Sequence, residues 1–247
     1  MKKVLNSNHL KLIAIIAMTV DHFADLFYPS FPAQPIPIIL HLIGRLTAPI
    51  MWFFVCEGFY YTKNLKKYIS RMLILAVISH FAYCFAFGIS YIPFVGGKIF
   101  NQTSVIYPLL MALLVLYVTY KNTTLKKWQK EIVNFVLIIS AFPADWSSIA
   151  ALSIVDMYKH RKNLFKQMCA MMFYVLIYAV VSFFFVNKVY AFVCIGVIMV
   201  YPLLSLYNGE KGKAGWMKWV FYAYYPAHLV IVGIIRLIMY GNNPILF

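Results

Sequence analysis

Apolar runs recur along the whole of this 247-residue chain, and clusters of lysine and arginine divide one from the next. A chain built this way folds in lipid, where each run must satisfy its own backbone polar groups as a helix. Read between the basic clusters, the runs predict nine helical segments, at about 9–27, 37–62, 67–88, 103–120, 131–143, 146–158, 165–186, 188–207 and 217–240. Residues Tyr28 to Pro37 form a loop carrying four prolines, which cannot continue a helix. Composition agrees: 63% of residues are apolar and only 12% charged, half the share of charge in ordinary soluble domains. The expected fold class is therefore all-α, a polytopic integral membrane helix bundle of about nine transmembrane helices, forming a single domain over residues 1–247. Segments five and six are shorter than the ~20 residues a spanning helix needs. They read either as thin or tilted spans, or as a re-entrant pair lining a cavity and turned at Pro143-Ala144-Asp145.

Charge predicts the orientation. Lys2 and Lys3 precede segment one, Lys63, Lys66, Lys67 and Arg71 follow segment two, and Lys121, Lys126, Lys127 and Lys130 follow segment four. Lys159, Arg161, Lys162 and Lys166 follow segment six, and Lys211, Lys213 and Lys218 follow segment eight. The opposite loops hold only Lys98 and Lys188. By the positive-inside rule the N-terminus is cytoplasmic and the C-terminus outside. The same rule accounts for the net charge of +15 without nucleic acid as a partner, though basic inner loops also gather anionic cytosolic ligands or lipid headgroups. Segment one follows a basic start but holds Asp21 and His22 and lacks a small-residue cleavage pattern, so it reads as retained. Cys56, Cys84, Cys169 and Cys194 are scattered through apolar runs with no metal-ligand spacing, and no metal is expected.

Against this background the polar residues inside the runs stand out. Segment one carries Lys11, then ten residues, then His22 flanked by Asp21 and Asp25. Ionisable groups in a membrane are costly and mark reaction centres or proton pathways, and a histidine beside carboxylates is a general base or a proton carrier. With a helical rise of 1.5 Å per residue, His22, Arg45, His80 and His228 all fall about 16–18 Å above the inner face. Four such groups from four segments predict a shared polar cavity. His22 and Asp25 lie three residues apart on one helix face, and His41 and Arg45 lie four apart on another.

Three stretches carrying these residues, LKLIAIIAMTVDHFADLFYP, LIGRLTAPIMWFFVCEGFYYTKNLKKYISRMLILAVISHFAYCFAFG and KWVFYAYYPAHLVIVGIIR, resemble in order the blocks of the TraX family, typified by the F-pilin acetylase. FNQTSVIYPLL and PADWSSIAALSIVDMYKHRKN are similar to its middle blocks. The family resembles a wider group of membrane acyltransferases with a basic residue, ten residues and a histidine in the first helix, a spacing that Lys11 and His22 fit. The resemblance implies acyl transfer from acetyl-CoA in the cytosol to a peptide, pilin, glycan or lipid acceptor, in a bacterial inner membrane crossed many times.

Such chemistry needs a base for the acceptor proton, a stabiliser for the oxyanion and a grip on the donor. His22 is the candidate base, with Asp21 or Asp25 orienting it, and Arg45 the candidate oxyanion or acceptor contact. Lys11 and Arg71 are the candidate donor contacts; Lys11 is about 16 Å below His22 on one helix, close to the reach of an extended CoA. His80, Asp145, Tyr225 and His228 are the candidate acceptor or cavity residues. Two other readings compete. A proton-coupled transporter or flippase would also need His and Asp in helices, although no internal repeat supports one. A structural subunit of a secretion or conjugation complex would need no reacting histidine at all.

Overall fold

The computed structural model of the protein describes residues 3–95 and 99–245, the side chain of Lys218 excepted. Lys2, Lys98 and the Lys218 side chain, counted above among the loop charges, lie outside the described residues. Among those described the fold is helical, with no strand beyond the isolated bridges Leu5–Tyr207 and Thr103–Ala144. In chain order the helices are α1 (Ser7–Phe27), α2 (Pro35–Gly44), α3 (Thr47–Tyr61), α4 (Leu65–Phe87), α5 (Ile106–Tyr120) and α6 (Lys127–Ser140). They continue with α7 (Ser147–Lys159), α8 (Leu164–Phe185), α9 (Lys188–Ile195), a 3-10 turn (Gly196–Met199), α10 (Val200–Ser205) and α11 (Met217–Tyr240).

Each apolar run became helix, and the boundaries moved by only a few residues. Local chemistry explains the ends. Asn6 caps α1 by accepting hydrogen bonds from the backbone of Asn8 and His9, and Asn187 caps α9 in the same way. The proline-rich loop is shorter than expected, because α2 begins at Pro35 and takes Pro37 into its first turn. Proline is tolerated there, since a first-turn N–H has no helical partner to lose. Two expected segments are interrupted: the second at Arg45 and Leu46, between α2 and α3, and the eighth at the 3-10 turn between α9 and α10.

Among the described residues five stretches are long and apolar enough to cross a membrane: Pro35–Tyr61, Leu65–Phe87, Leu164–Phe185, Lys188–Ser205 and Trp219–Tyr240. By that criterion this is a membrane protein. α1 matches them in length, with 21 residues, but its polar residues set it apart. α6 and α7, at 14 and 13 residues, are about 20 Å long, short of a ~30 Å hydrocarbon core.

The chain divides into two compact units. The first comprises residues 1–51, 85–89 and 175–247. In it α1 packs against α2 and α11, and α2 against α9. The start of α1 meets the loop before α11: Ser7 N–H donates to the Glu210 carbonyl at 2.8 Å, and the Ser7 hydroxyl to that of Lys211 at 2.7 Å. At the other end of α1 the Tyr240 hydroxyl, from the end of α11, donates to the Leu26 carbonyl at 3.0 Å. The second unit comprises residues 52–84 and 90–174, with α5 packed against α6 and α7. There Arg161, just past α7, donates to Glu57 at 3.0 Å and lies 3.3 Å over the Tyr60 ring. The pairing that Glu57 invites, among so many basic residues, is therefore made with arginine.

Candidate functional site

The first unit gathers a buried polar cluster from α1, α2 and α11. Segment one supplies Asp21, His22 and Asp25 from the C-terminal half of a helix whose buried apolar positions are Leu10, Ala14, Ile15, Ala17, Met18, Ala24 and Leu26. The apolar face thus packs inward together with the charged residues, and partners in neighbouring helices must satisfy them.

Asp21 is satisfied from α2. Both of its oxygens accept from Nη2 of Arg45 at 2.9 Å, and Oδ1 also accepts from Nδ1 of His41 at 2.9 Å. Arg45 adds a bond from Nε to the His41 carbonyl at 3.3 Å and lies 5.5 Å from the Tyr190 ring centroid. His41 is 1% exposed and its ring stacks on Phe31 at 3.9 Å. Phe31 holds a left-handed backbone with φ 51°, which turns its ring inward from the proline-rich loop. Nε2 of His41 is 4.0 Å from Oδ1 of Asp25. The spacing of His41 and Arg45 on one helix face has its reason here: both side chains meet the same carboxylate. Gly44 is the residue that allows the approach, since a Cβ there would overlap the Asp21 side chain.

His22 turns to α11 instead. Its Nδ1 is 2.7 Å from Nε2 of His228, with the two rings parallel to within 2° and their centroids 4.9 Å apart. The nitrogen separation takes up most of the centroid distance, so the rings meet edge to edge in nearly one plane. His228 in turn bonds through Nδ1 to the Tyr224 carbonyl at 2.9 Å. The Tyr224 ring lies parallel to His228 within 9°, Tyr225 meets it edge-on at 5.6 Å, and Phe87 meets His22 edge-on at 5.7 Å. The hydroxyl of Tyr224 is 2.7 Å from Thr19, whose own hydroxyl donates to the Ile15 carbonyl at 2.8 Å. His22 and His228 are 9% and 3% exposed.

The sequence reading brought His22, Arg45, His80 and His228 to one layer and offered Asp21 or Asp25 as the group orienting His22. In the structure His22 and His228 are in direct contact, and Asp21 belongs to His41 and Arg45. The hydrogen-bond partner of His22 is His228. His80 has both ring nitrogens engaged within the second unit: Nε2 donates to the Tyr91 carbonyl and Nδ1 pairs with the Thr103 hydroxyl, each at 2.9 Å. Asp145 lies in the turn before α7, its N–H bonded to the Thr103 carbonyl at 2.9 Å. Arg71 is half-buried on α4 with a buried Nε that has no hydrogen-bond partner among the described residues. Lys11 is on α1, partly buried, and the unbroken helix between it and His22 keeps their separation at about 16 Å. Tyr225 is buried against His228. Among the described residues no group of three or more His, Cys, Asp or Glu is arranged to hold a metal ion.

Sequence reasoning passed over Thr19, Phe31 and Gly44 as parts of the cluster. Thr19 does sit in the first of the three family-like stretches, two residues before Asp21, which was the available signal. Phe31 had none, because its role depends on how a loop folds back.

The family described as TraX protein matches residues 6–236, a span that includes every residue of this cluster. Over 231 residues the chain is 31% identical to the probable fimbrial assembly protein FimC, serogroup H1, of Dichelobacter nodosus, an alignment covering 90% of this chain and 92% of that protein. No solved structure matches the chain.

Proposed function

The chain belongs to the TraX family, and from that premise we propose that it is an integral membrane acyltransferase that moves an acetyl group from cytosolic acetyl-CoA to an amine or hydroxyl acceptor. The observation that carries the reading is His22: a buried imidazole, tied through its Nδ1 to a second histidine, with no hydrogen bond at its own Nε2 among the described residues. That is the arrangement of a general base with its orienting partner already bound.

In this reading Nε2 of His22 takes the proton of the acceptor amine or hydroxyl as its nitrogen or oxygen attacks the thioester carbonyl. The tetrahedral oxyanion collapses, the carbon–sulfur bond breaks, and the proton on His22 passes to the departing thiolate to give free CoA. Lys11 stays proposed as a contact for the donor's phosphates at the cytoplasmic side, and Arg71, in the second unit, stays proposed as a donor contact. Arg45 is committed to Asp21 in the structure, so its proposed part is to hold that carboxylate beside the centre. His80, Asp145 and Tyr225 stay proposed as acceptor or cavity residues. Nine segments crossing a bacterial inner membrane, with the N-terminus in the cytosol, complete the proposal. Contacts between segment ends support that topology: within each unit, the ends joined by the bonds described above are ends that the charge pattern assigns to one side.

The acceptor we favour is a subunit of a surface appendage, because the similar protein is described as a probable fimbrial assembly protein. The same description favours a second reading, in which the chain assists assembly and transfers nothing. A proton-coupled transporter draws less support, since the hydrogen-bond chain from His22 ends on a backbone carbonyl, which accepts a proton's bond but does not pass a proton on. Purified protein in lipid nanodiscs, supplied with acetyl-labelled CoA and with pilin-type peptides or glycans, tests the proposal. Wild type labels an acceptor, and His22→Ala lowers the rate by about a hundredfold or more. If wild type transfers no label while His22→Ala still supports appendage assembly in cells, the assembly reading replaces it.

A further inference from the structure

We infer that His228 and the Tyr224 carbonyl are positioning groups that lock His22 in its Nδ1–H tautomer, so that Nε2 always presents a lone pair. The inference rests on the acyltransferase reading for its catalytic meaning and on geometry for its substance. A carbonyl oxygen only accepts, so the 2.9 Å bond between Nδ1 of His228 and the Tyr224 carbonyl requires a hydrogen on that nitrogen. In a neutral imidazole the other nitrogen is then an acceptor. Nε2 of His228 therefore accepts, and the 2.7 Å contact to His22 requires the hydrogen on Nδ1 of His22. The deduction passes once more across the ring: neutral His22 has its lone pair on Nε2. One backbone oxygen thus sets the protonation pattern of two side chains in series.

The supports of this chain are themselves fixed. The Thr19 hydroxyl donates to the Ile15 carbonyl, so the bond between Thr19 and Tyr224 is donated by the tyrosine. This ties the ring of Tyr224 to α1 while its carbonyl holds His228 on α11. The run Tyr224-Tyr225-Pro226-Ala227-His228 puts carbonyl and imidazole four residues apart, one above the other on the helix. In a catalytic triad a carboxylate fills the role that His228 fills here. The difference is charge. A neutral acceptor stabilises the imidazolium of His22 through a charge-assisted bond without adding a further negative group to a cluster that already holds Asp21 and Asp25. The dyad takes up one transferable proton, at the Nε2 lone pair of His22, because the far end of the chain is a carbonyl that holds no proton to exchange.

The test is solid-state nuclear magnetic resonance of protein labelled with nitrogen-15 and carbon-13 at its six histidines, in lipid bilayers at neutral pH. Nitrogen–carbon correlations identify which ring nitrogen bears hydrogen. His22 and His228 are both expected as Nδ1–H, the minority form of histidine in water. Protonation of either on Nε2 alone overturns the inference, and the wild-type measurement needs no variant to fold. His228→Leu, which removes the acceptor, is expected to lower kcat by about a hundredfold with KM for acetyl-CoA unchanged, and to shift His22 toward Nε2–H. His228→Gln, whose side-chain oxygen accepts at the same reach, is expected to restore both the tautomer and most of the rate. Equal loss in both variants overturns the positioning role. A wild type that shows both tautomers yet transfers no acetyl group keeps the relay and removes the enzyme. A wild type that transfers acetyl with other tautomers does the reverse.

Discussion

Asp21 shows how a carboxylate is kept in a helix that is otherwise mostly apolar. It takes hydrogen bonds on both oxygens from Arg45 and a third from His41, all at 2.9 Å, and Gly44 leaves the space for that approach. A buried ion pair contributes little net stability compared with apolar residues of the same shape, but losing one partner leaves the other charged and alone. Arg45→Met is therefore expected to destabilise the protein by about 3–5 kcal/mol, read as a lower midpoint of thermal unfolding in detergent. Adding Asp21→Asn to the same protein is expected to recover much of the loss, because the orphaned charge is gone. If the double variant is no more stable than Arg45→Met, the pair does not carry the effect. At this scale the sequence reading identified most of the residues, including His22, His228, His41, Arg45 and Asp21. It did not identify which partner each would take. Helical spacing says which side chains share a face, whereas the choice between Asp21 and His228 for His22 depends on how α1, α2 and α11 are rotated against one another.

Among the elements, α1 carries the most consequence. It is one unbroken helix over Ser7–Phe27, capped by Asn6, so the ten residues between Lys11 and His22 act as a rigid spacer. If Lys11 meets a phosphate of the donor, Lys11→Ala raises KM for acetyl-CoA roughly tenfold, the worth of one charged hydrogen bond at about 1.4 kcal/mol. It leaves kcat at saturation close to wild type, and Lys11→Arg retains the affinity. A fall in kcat with KM unchanged would instead assign Lys11 to the packing of α1. The breaks in two predicted segments belong to this scale as well. Apolar residues dominate on both sides of Arg45-Leu46 and run on through Gly196–Met199, so hydropathy had no reason to end a helix there. The first break matters most, because Arg45 stands in it and bonds back through Nε to the His41 carbonyl.

For the whole molecule, the sorting of charge makes a prediction that is independent of the chemistry. Cysteines introduced at Asn64, Thr123, Asn163 and Glu210, in the cysteine-free background, are expected to react only with thiol reagents delivered from the cytosol. Those at Ser30 and Asn187 are expected to react from outside the inner membrane. Labelling of Glu210 and Asn187 from one side would refute the nine-crossing arrangement. The sequence by itself determined that the chain is helical and lives in a membrane, where its nine helical segments begin and end to within a few residues, and which polar residues those segments hold. Each of these follows from local rules: apolar length, capping residues and the cost of charge in lipid. The tertiary structure decided the pairing of the polar residues. Asp21 went to Arg45 and His41, and His22 went to His228 across some two hundred residues of sequence, because contacts between helices are set by packing and rotation that no local pattern encodes. The motif of a lysine, ten residues and a histidine was legible as a distance along one helix. The histidine that completes it on another helix became visible only when the two were packed together.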